Sequence, residues 1–488
     1  MVPPCVNLSN KRGYSSKMKS RITLYIAIIL FSSLLTHFLF YGYPNETVFD
    51  EVHFGKFISG YFTHEYFFDI HPPLGKLLIS GMGYLAGFKP GFSFAEIGQK
   101  FPDSAYLWLR FLPTLAGALL PLVIFLLALK LKFSRLAAFS AAMLVVFENA
   151  LLVQSRFILL DLFLLLFGFL ALLFYFIYRE RKAAAIKNSR ETFYLMLAGI
   201  FGALSLSVKW TGATFLALII ILEAIRFIRE KNGQLLVKNL LTLIILPFVI
   251  YFSIFAIHLK LLTKSGPGDA FMSPAFQKTL LGNVYQNSPE VKQLNLLEKF
   301  EELNIEMYRA NANLTAGHPY SSKWYSWPLM IRPIYYWYKN NAPNASRIYF
   351  LGNPAIWWTS TIAMFYLLIK LIQFAVGFVA SKIPPLKIKI KKYTTESLPL
   401  FLGGAYLLNL LPFAAIKRAM FLYHYMVSLV FAIIAVVYLI DKTQNKQRIF
   451  SILLVISILS FIFFSPLTYG LSLSEKAYHA RLWLASWQ

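Results

Sequence analysis

Eleven long apolar runs constrain this chain more than any other feature of its sequence. They lie at residues 22–40, 105–129, 136–153, 157–178, 193–208, 212–227, 240–257, 354–379, 398–415, 420–440 and 449–464. A helix needs about 20 apolar residues to cross the hydrocarbon core of a bilayer, and these runs approach or reach that length. The sequence therefore predicts an all-α polytopic membrane protein with about eleven transmembrane helices.

The composition excludes several other classes of protein. The 488 residues are 58% hydrophobic and 14% charged, whereas soluble proteins average roughly 45–50% and about 25%. The net charge of +25 comes from short Lys/Arg clusters between apolar runs, so we expect no nucleic-acid partner. Cys5 is the only cysteine, which argues against disulfides and against a Cys/His metal cluster. We expect neither a metal nor a cofactor.

The basic clusters predict the orientation in the membrane. Residues 1–21 form a basic tail, and the first apolar run has no signal-peptide cleavage site, so we interpret it as a retained helix. Clusters at 130–135, 179–190, 226–238, 382–392 and 442–448 fall in alternate loops on the side of this tail. The positive-inside rule makes that side cytoplasmic. Residues 22–488 then form one transmembrane domain whose outer side receives segments 41–104, 260–353 and 465–488.

The first outer segment, 41–104, concentrates titratable residues and is our candidate catalytic loop. Two short amphipathic stretches, 52–61 and 73–86, predict interfacial helices within it. The strings VFDEVHFGKF and FFDIHPPLGKLL supply Asp50, Glu51, His53, Asp69, His71 and Lys76. A carboxylate, an imidazole and an ammonium can together orient a hydroxyl and neutralise an anion. Acids at helix ends are also common as structural residues, and that alternative stays open.

Basic residues in short outer hairpins indicate an anion-binding site. Arg156 in QSRFILLD, Lys209 in SVKWTG, and Lys417 with Arg418 in AIKRAM all lie on the predicted outer side. The positive-inside rule does not explain them, and a lipid phosphate is an anion found at that depth. Each cation alone can also snorkel to lipid headgroups. Asp161 can pair with Arg156 or with Lys209, either as a structural ion pair or in a catalytic role.

Seven strings, in order along nearly the whole chain, resemble the protein O-mannosyltransferase family, a branch of the GT-C membrane glycosyltransferases. They are VFDEVHFGKF, FFDIHPPLGK, QSRFILLD, SVKWTG, SGPGDAFMSPAFQ, HPYSSKWYSWPLMIRP, which begins at His318, and FLYHY. The resemblance implies a GT-C fold with outer loop helices. It also implies transfer of mannose from a polyprenyl-phosphate-mannose lipid to Ser or Thr of acceptor polypeptides, for example at the secretion translocon.

The resemblance also implies roles for individual residues. Asp50 falls on the family's catalytic base, Glu51 on a residue associated with the acceptor and the active-site organisation, and Arg156 on one associated with activity and the donor phosphate. Apart from the resemblance, most aromatic residues of such a chain face lipid or form interfacial belts, but those of FSPLTYG and of the string that begins at His318 can supply stacking platforms for a sugar ring. Because a sugar phosphate is already activated, one base and a basic leaving-group site fit a single inverting displacement.

The chain departs from the eukaryotic pattern at one point. Eukaryotic members carry a β-trefoil MIR domain between the SGPGDAFMSPAFQ and HPY strings, where about forty residues are too few for a domain. We therefore expect a compact prokaryotic form in the cytoplasmic membrane, or an endoplasmic-reticulum enzyme if the source is eukaryotic. Two alternatives remain: a GT-C enzyme with a lipid or glycan acceptor, and a transporter or flippase, which should show charges at mid-membrane and repeat symmetry.

Overall fold

The computed structural model describes residues 8–183, 190–313, 317–380 and 397–488. The α-helices in these residues are α1 (Leu8–Phe38), α2 (Glu51–Thr63), α3 (Leu74–Leu85), α4 (Ala105–Lys130), α5 (Arg135–Val146), α6 (Asn149–Ser155), α7 (Asp161–Ala183), α8 (Arg190–Val208), α9 (Ala213–Glu230), α10 (Gly233–Leu240), α11 (Leu246–Leu261), α12 (Pro274–Gln277), α13 (Leu296–Asn313), α14 (Pro354–Ala380), α15 (Ser397–Leu410), α16 (Met426–Asp441), α17 (Lys446–Tyr469) and α18 (Glu475–His479). The predicted basic clusters at 179–190 and 382–392 lie partly or wholly outside these residues, as does the start of the 1–21 tail.

The described residues contain ten segments long and apolar enough to cross a membrane, and α5 with α6 makes an eleventh if that bent pair is one span. The protein is thus a multi-pass membrane protein, and each predicted apolar run is found as helix. The bend of 58° between α5 and α6 has a local cause. The carboxylate of Glu148 caps α6 by accepting from the Leu151 amide (2.8 Å), and its other oxygen accepts from the Asn353 amide (2.7 Å). Both bonds hold the turn in place.

The predicted loop helices are present as α2 and α3, but the all-α prediction missed a small sheet. Strands β1 (Ile334–Asn341), β2 (Asn344–Phe350) and β3 (Ser472–Leu473) form an antiparallel sheet in the order β1-β2-β3. The aromatic-rich run before Asn341 has the composition of a strand, and the two-residue link to Asn344 closes a hairpin.

The segments 41–104, 260–353 and 465–488 pack on one another at the same end of the bundle. The Trp337 indole donates to Glu46 (2.9 Å), the Asn311 amide to the Ile70 carbonyl (3.0 Å), and Arg332 to the Ser486 carbonyl (3.0 Å). Beneath this layer, α4, α7 and α16 are the most buried spans. One end of each of these central helices therefore meets the loop layer, and the candidate site lies at that junction.

Candidate active site

Two buried arginines hold the chain between α1 and α2. Arg156 donates to the carbonyls of Leu39 (2.7 Å) and Phe40 (2.8 Å) just beyond the end of α1, and its guanidinium lies 4.6 Å from the Tyr469 ring centre. Arg110 donates to the carbonyls of Gly42 (3.0 Å), Pro44 (2.7 Å) and Glu46 (2.8 Å). These bonds satisfy carbonyls of an irregular segment that has few partners of its own. The segment that leads to Asp50 is therefore fixed from both sides.

Glu51 is fully buried and completely bonded. Arg110 grips both of its carboxylate oxygens, at 2.7 and 2.6 Å, and the amides of Val48 (2.8 Å) and Ile158 (2.9 Å) also donate to them. Four such donors hold the carboxylate in one orientation. The predicted organising role of Glu51 has here a specific meaning: it ties the start of α2 to α4 and to the loop before α7.

Asp50 is the opposite case, although it is the adjacent residue. It stands at the N-cap of α2, is half-buried, and its carboxylate has no hydrogen bond within the described part of the chain. Burial raises the pKa of Asp50 from 3.8 to about 7, an effect that the nearby Lys209 charge opposes and the Asp161 and Asp69 charges reinforce. A carboxylate with a free oxygen and a pKa near neutrality suits a general base.

The second predicted string forms a braced turn before α3. The ammonium of Lys76 binds the Asp69 carboxylate and also donates to the carbonyls of His71 (2.8 Å) and Pro72 (3.3 Å). Lys76 is thus committed to holding the turn. The turn presents His71 to the cavity described below, where burial, with the charges of Lys209, Lys76 and Arg418, lowers its pKa well below the usual range. His71 is therefore a neutral imidazole at physiological pH.

A cavity of about 450 Å³ opens beside this turn. Its lining includes the charged and polar residues His71, Asp161, Lys209, Lys417, Arg418 and His424 together with the apolar residues Leu164, Leu165, Phe413, Ile416, Met426 and Val427. The helix α13 contributes Tyr308 and Asn311 to the same lining. A space that offers both cations and apolar side chains suits a lipid with a phosphate headgroup.

Lys209 and Asp161 form the fixed charge pair of the cavity. They are 2.7 Å apart, so the structure selects Lys209 rather than Arg156 as the partner of Asp161. The other oxygen of Asp161 accepts from the Gln154 amide (2.7 Å), and Gln154 in turn accepts from the Tyr336 hydroxyl (2.5 Å). The ammonium of Lys209 also lies 5.2 Å from the Tyr423 ring centre, a cation–π contact.

Two further cations of the cavity, Lys417 and Arg418, come from the link between α15 and α16. Arg418 is partly buried, and its guanidinium is 3.5 Å from Nε2 of His424. No carboxylate pairs with it among the described residues, and burial lowers its pKa. Lys417 is exposed on the cavity lining. Both are available to an anion.

Like Asp50, Glu51, Asp69 and Lys76, three further predicted residues are not part of the cavity lining. Arg156 is engaged with backbone carbonyls, as described above, and is not part of the lining. His53 is exposed on α2, and the desolvation of its imidazole against the helix, with the nearby charge of Lys56, lowers its pKa. His318 is exposed and packs edge-on against Phe421 at 5.0 Å, close to the lining residue Tyr423. Over the residues that the structure describes, no three His, Cys, Asp or Glu side chains form a group that could hold a metal ion.

Several site residues were not identified from the sequence. They are Arg110, Gln154, Tyr336, Tyr423 and His424. An arginine within the apolar run 105–129 is a signal that was available, because a charge inside a span is rarely placed there without a role. Tyr336 carries no such signal, since it is one of several aromatic residues in its string.

The protein has the GT-C fold of membrane glycosyltransferases. A bundle of many spans carries loop helices at one end, and the cavity lies next to them. A chain of the S. cerevisiae protein O-mannosyltransferase Pmt1-Pmt2 complex bound to the sugar donor matches 99% of this chain over 93% of its own length, with a TM-score of 0.84 and 20% identity. The archaeal oligosaccharyltransferase AglB from Archaeoglobus fulgidus matches 96% of this chain over 58% of its own, with a TM-score of 0.54 and 14% identity. At these identities the likeness concerns the fold.

Sequence comparison identifies the family. Residues 27–263 match the family model described as dolichyl-phosphate-mannose-protein mannosyltransferase, and residues 296–487 match the C-terminal four-TMM region of protein-O-mannosyltransferase. Dolichyl-phosphate-mannose--protein mannosyltransferase 4 of Candida albicans is 35% identical over 293 residues, 58% of this chain but only 38% of that relative. The chain belongs to the protein O-mannosyltransferase family.

Proposed function

We propose that this protein transfers mannose from a polyprenyl-phosphate-mannose lipid to Ser or Thr hydroxyls of polypeptides on the extracytoplasmic side of a membrane, most simply the cytoplasmic membrane of a prokaryote. One observation carries the proposal: Asp50, a carboxylate without a hydrogen bond among the described residues, lies near a cavity whose lining combines cations that have no acidic partner with apolar side chains. Family membership supports mannose and a lipid phosphate, because the matched family model is described as dolichyl-phosphate-mannose-protein mannosyltransferase.

The reaction needs one proton acceptor and one leaving-group site. Asp50 takes the proton of the acceptor hydroxyl as its oxygen attacks C1 of mannose. The bond from C1 to the phosphate oxygen breaks on the opposite face, and the electron pair leaves with polyprenyl phosphate. The extra negative charge on that phosphate is stabilised by Lys209 and Arg418, with Lys417 at the rim. A single displacement of this kind inverts the configuration at C1.

Asp50 is not part of the cavity lining, but its neighbour Phe49 packs against a lining residue. Phe49 lies edge-on to Tyr423 at 6.3 Å, and Tyr423 lines the cavity beside Lys209. Glu51 and Arg156 are positioning residues, because they hold the segment that carries Asp50 and neither needs to contact the donor. Asp161 holds Lys209, and His71 faces the phosphate end as a neutral donor or acceptor.

The test uses purified protein in lipid nanodiscs with radiolabelled polyprenyl-phosphate-mannose and a Ser/Thr-rich peptide, followed by mass spectrometry. The same peptide with Ala in place of every Ser and Thr is the control. We expect label in the first peptide only, and labelling by the Asp50→Asn variant that is slower by roughly 10²–10⁴. Transfer to an added glycolipid but not to the peptide would support the lipid-acceptor alternative instead. Release of free mannose without transfer to either acceptor would refute the proposal.

A further inference from the structure

A second cavity, of about 720 Å³, lies at the opposite end of the bundle from the candidate active site. It is a groove where α1, α5 and α17 meet, lined among others by Arg21, Tyr25, Phe133, Arg135, Gln447 and Ser451. Arg21 begins the first span, whereas Arg156 binds the chain just beyond the other end of the same helix. We call this cavity the inner groove.

The two arginines of the inner groove differ from most of their basic neighbours. Lys130 and Lys132 both bind Glu180 at 2.5 Å, and Lys182 lies 3.6 Å from Glu230. Arg21 and Arg135 have no acidic partner within the described ranges.

The acid closest to this groove along the chain is already occupied. Asp441 accepts from the backbone and the hydroxyl of Ser134, at 2.8 and 2.6 Å, and from Lys446 at 3.0 Å. The groove therefore gathers two guanidinium charges without an internal counterion. A guanidinium in such a position favours an external anion, above all a phosphate or carboxylate.

The walls of the groove indicate what kind of anion fits. Tyr25 is stacked on Phe139 at 4.7 Å and presents an aromatic surface, and Phe133 and Leu136 extend the apolar wall. Gln447 and Ser451 add polar groups whose side chains make no hydrogen bond within the part of the chain that the structure describes. A free inorganic anion gains nothing from apolar walls, whereas a phospholipid has a phosphate, polar headgroup atoms and acyl chains together.

We propose that the inner groove binds the headgroup of an anionic glycerophospholipid from the leaflet opposite the candidate active site. The phosphate lies between Arg21 and Arg135, headgroup hydroxyls contact Gln447 and Ser451, and the start of an acyl chain runs along Tyr25. Such a lipid joins α1, which leads into the catalytic loop, to α5 and α17. The site is independent of the proposed transferase reaction and does not require it.

Native mass spectrometry of the delipidated full chain tests this, with dioleoylphosphatidylglycerol and dioleoylphosphatidylcholine added in parallel. The double variant Arg21→Gln/Arg135→Gln should bind phosphatidylglycerol about thirtyfold more weakly, since each basic residue near an anionic lipid contributes about a fivefold effect. Arg229→Gln is the matched control, because Arg229 is an exposed arginine near the same end of the bundle, at the end of α9. It should bind like the unaltered protein.

Three outcomes would overturn the proposal: unchanged binding by the double variant, an equal loss in Arg229→Gln, or equal binding of phosphatidylcholine. Millimolar inorganic phosphate is added in a further arm. If it displaces the lipid, the groove is a site for free anions and the lipid assignment is wrong. Circular dichroism of the double variant checks that its helix content is unchanged, and the analogous Lys substitutions, which keep the charge, should restore binding in part.

Discussion

The hydroxyl of Tyr336 donates a 2.5 Å hydrogen bond to Oε1 of Gln154, 182 residues away in the sequence. Because this oxygen is engaged, the amide nitrogen of Gln154 faces Asp161, which accepts from it at 2.7 Å and from Lys209 at 2.7 Å. The orientation of one side-chain amide therefore decides whether Asp161 meets a donor or an acceptor. Strand β1, which carries Tyr336, thus helps to set the position of the Lys209 ammonium, which we propose binds the donor phosphate.

The same tyrosine also contacts the segment of the proposed base. Its ring is stacked on Phe49 at 4.0 Å, and its carbonyl accepts from the Phe49 amide at 3.2 Å. Tyr336→Phe keeps the ring and removes only the hydroxyl. We expect kcat/KM for the donor to fall about tenfold, since a buried acceptor loses its partner. The loss should appear mainly as a higher donor KM, measured by initial rates at varied donor concentration.

Tyr335→Phe is the matched control for this substitution. It lies next to Tyr336 in β1, and its hydroxyl makes no hydrogen bond among the described residues. Both variants should unfold at nearly the same temperature. If Tyr335→Phe and Tyr336→Phe have the same kinetic effect, the hydroxyl of Tyr336 has no positioning role.

The adjacent carboxylates Asp50 and Glu51 should respond in opposite ways to loss of their charge. Glu51→Gln leaves the buried Arg110 without its counterion, which typically costs about 3–5 kcal/mol of unfolding free energy. Asp50→Asn breaks no hydrogen bond of the described residues and should fold normally, yet turnover should fall by roughly 10²–10⁴ because proton acceptance is lost.

Thermal unfolding and peptide mannosylation, measured on the same purified preparations, separate these two effects. A stable Glu51→Gln protein with lost turnover would mean that Glu51 takes part in the chemical step. Near-native turnover of Asp50→Asn would move the base elsewhere, and Asp69 is the next candidate although Lys76 already binds it.

The sequence predicted the spans, the loop helices and most of the charged site residues, because each of these has a local signal. Apolar length identifies a span, and a charge at a helix end between apolar runs is conspicuous. The sheet was missed because β3, only Ser472–Leu473, carries no recognisable strand pattern and pairs with β2 more than a hundred residues earlier. Long-range pairing of this kind has no signature in a single sequence.

The roles of the arginines show the same limit. Arg110 was not identified from the sequence, and Arg156 was assigned to the donor phosphate. In the structure both donate hydrogen bonds to backbone carbonyls of residues 39–46. Which acceptor an arginine finds depends on how an irregular segment folds, and local residue preferences do not determine that. By contrast, Arg418 lines the cavity, and its predicted binding of the donor phosphate stays a prediction.

Arg418→Ala and Arg156→Ala therefore predict different defects. Arg418→Ala removes a cavity cation without an acidic partner, so the donor KM should rise by about 10- to 100-fold, as for a lost charge-assisted hydrogen bond. Arg156→Ala frees the carbonyls of Leu39 and Phe40 and should lower the unfolding temperature and kcat while it changes the donor KM little. Isothermal titration with a non-transferable donor analogue gives the affinity directly. Equal affinity losses in both variants would return Arg156 to the donor site.

The raised pKa of Asp50 predicts how activity depends on pH. The base must be deprotonated, so kcat/KM should rise with pH through about 7 and then level off. The rising limb should be absent in any residual activity of Asp50→Asn. A rate that is flat between pH 5.5 and 8, measured under conditions where the chemical step limits turnover, would show that Asp50 is not the base.

The raised pKa of Asp50 also predicts how the free energy of unfolding depends on pH. The sign is opposite to that for an aspartate whose pKa is lowered by folding. The pKa of Asp50 is about 7 in the folded protein and 3.8 when unperturbed, so between these values the folded state binds more protons than the unfolded state. The free energy of unfolding contributed by Asp50 therefore decreases as pH rises from about 4 to about 7, and the whole penalty is present above that range. Asp50→Asn removes a partly buried charge that has no hydrogen bond among the described residues, so the variant should be more thermostable than the unaltered protein at pH 8, and this gain should be clearly smaller at pH 5. Thermal unfolding at both pH values measures this difference, and Asp103→Asn, at an exposed position before α4, is a control that should show no such pH-dependent gain. A variant that is less stable at pH 8 would mean that the charged form of Asp50 is favoured in the folded protein, which contradicts a raised pKa.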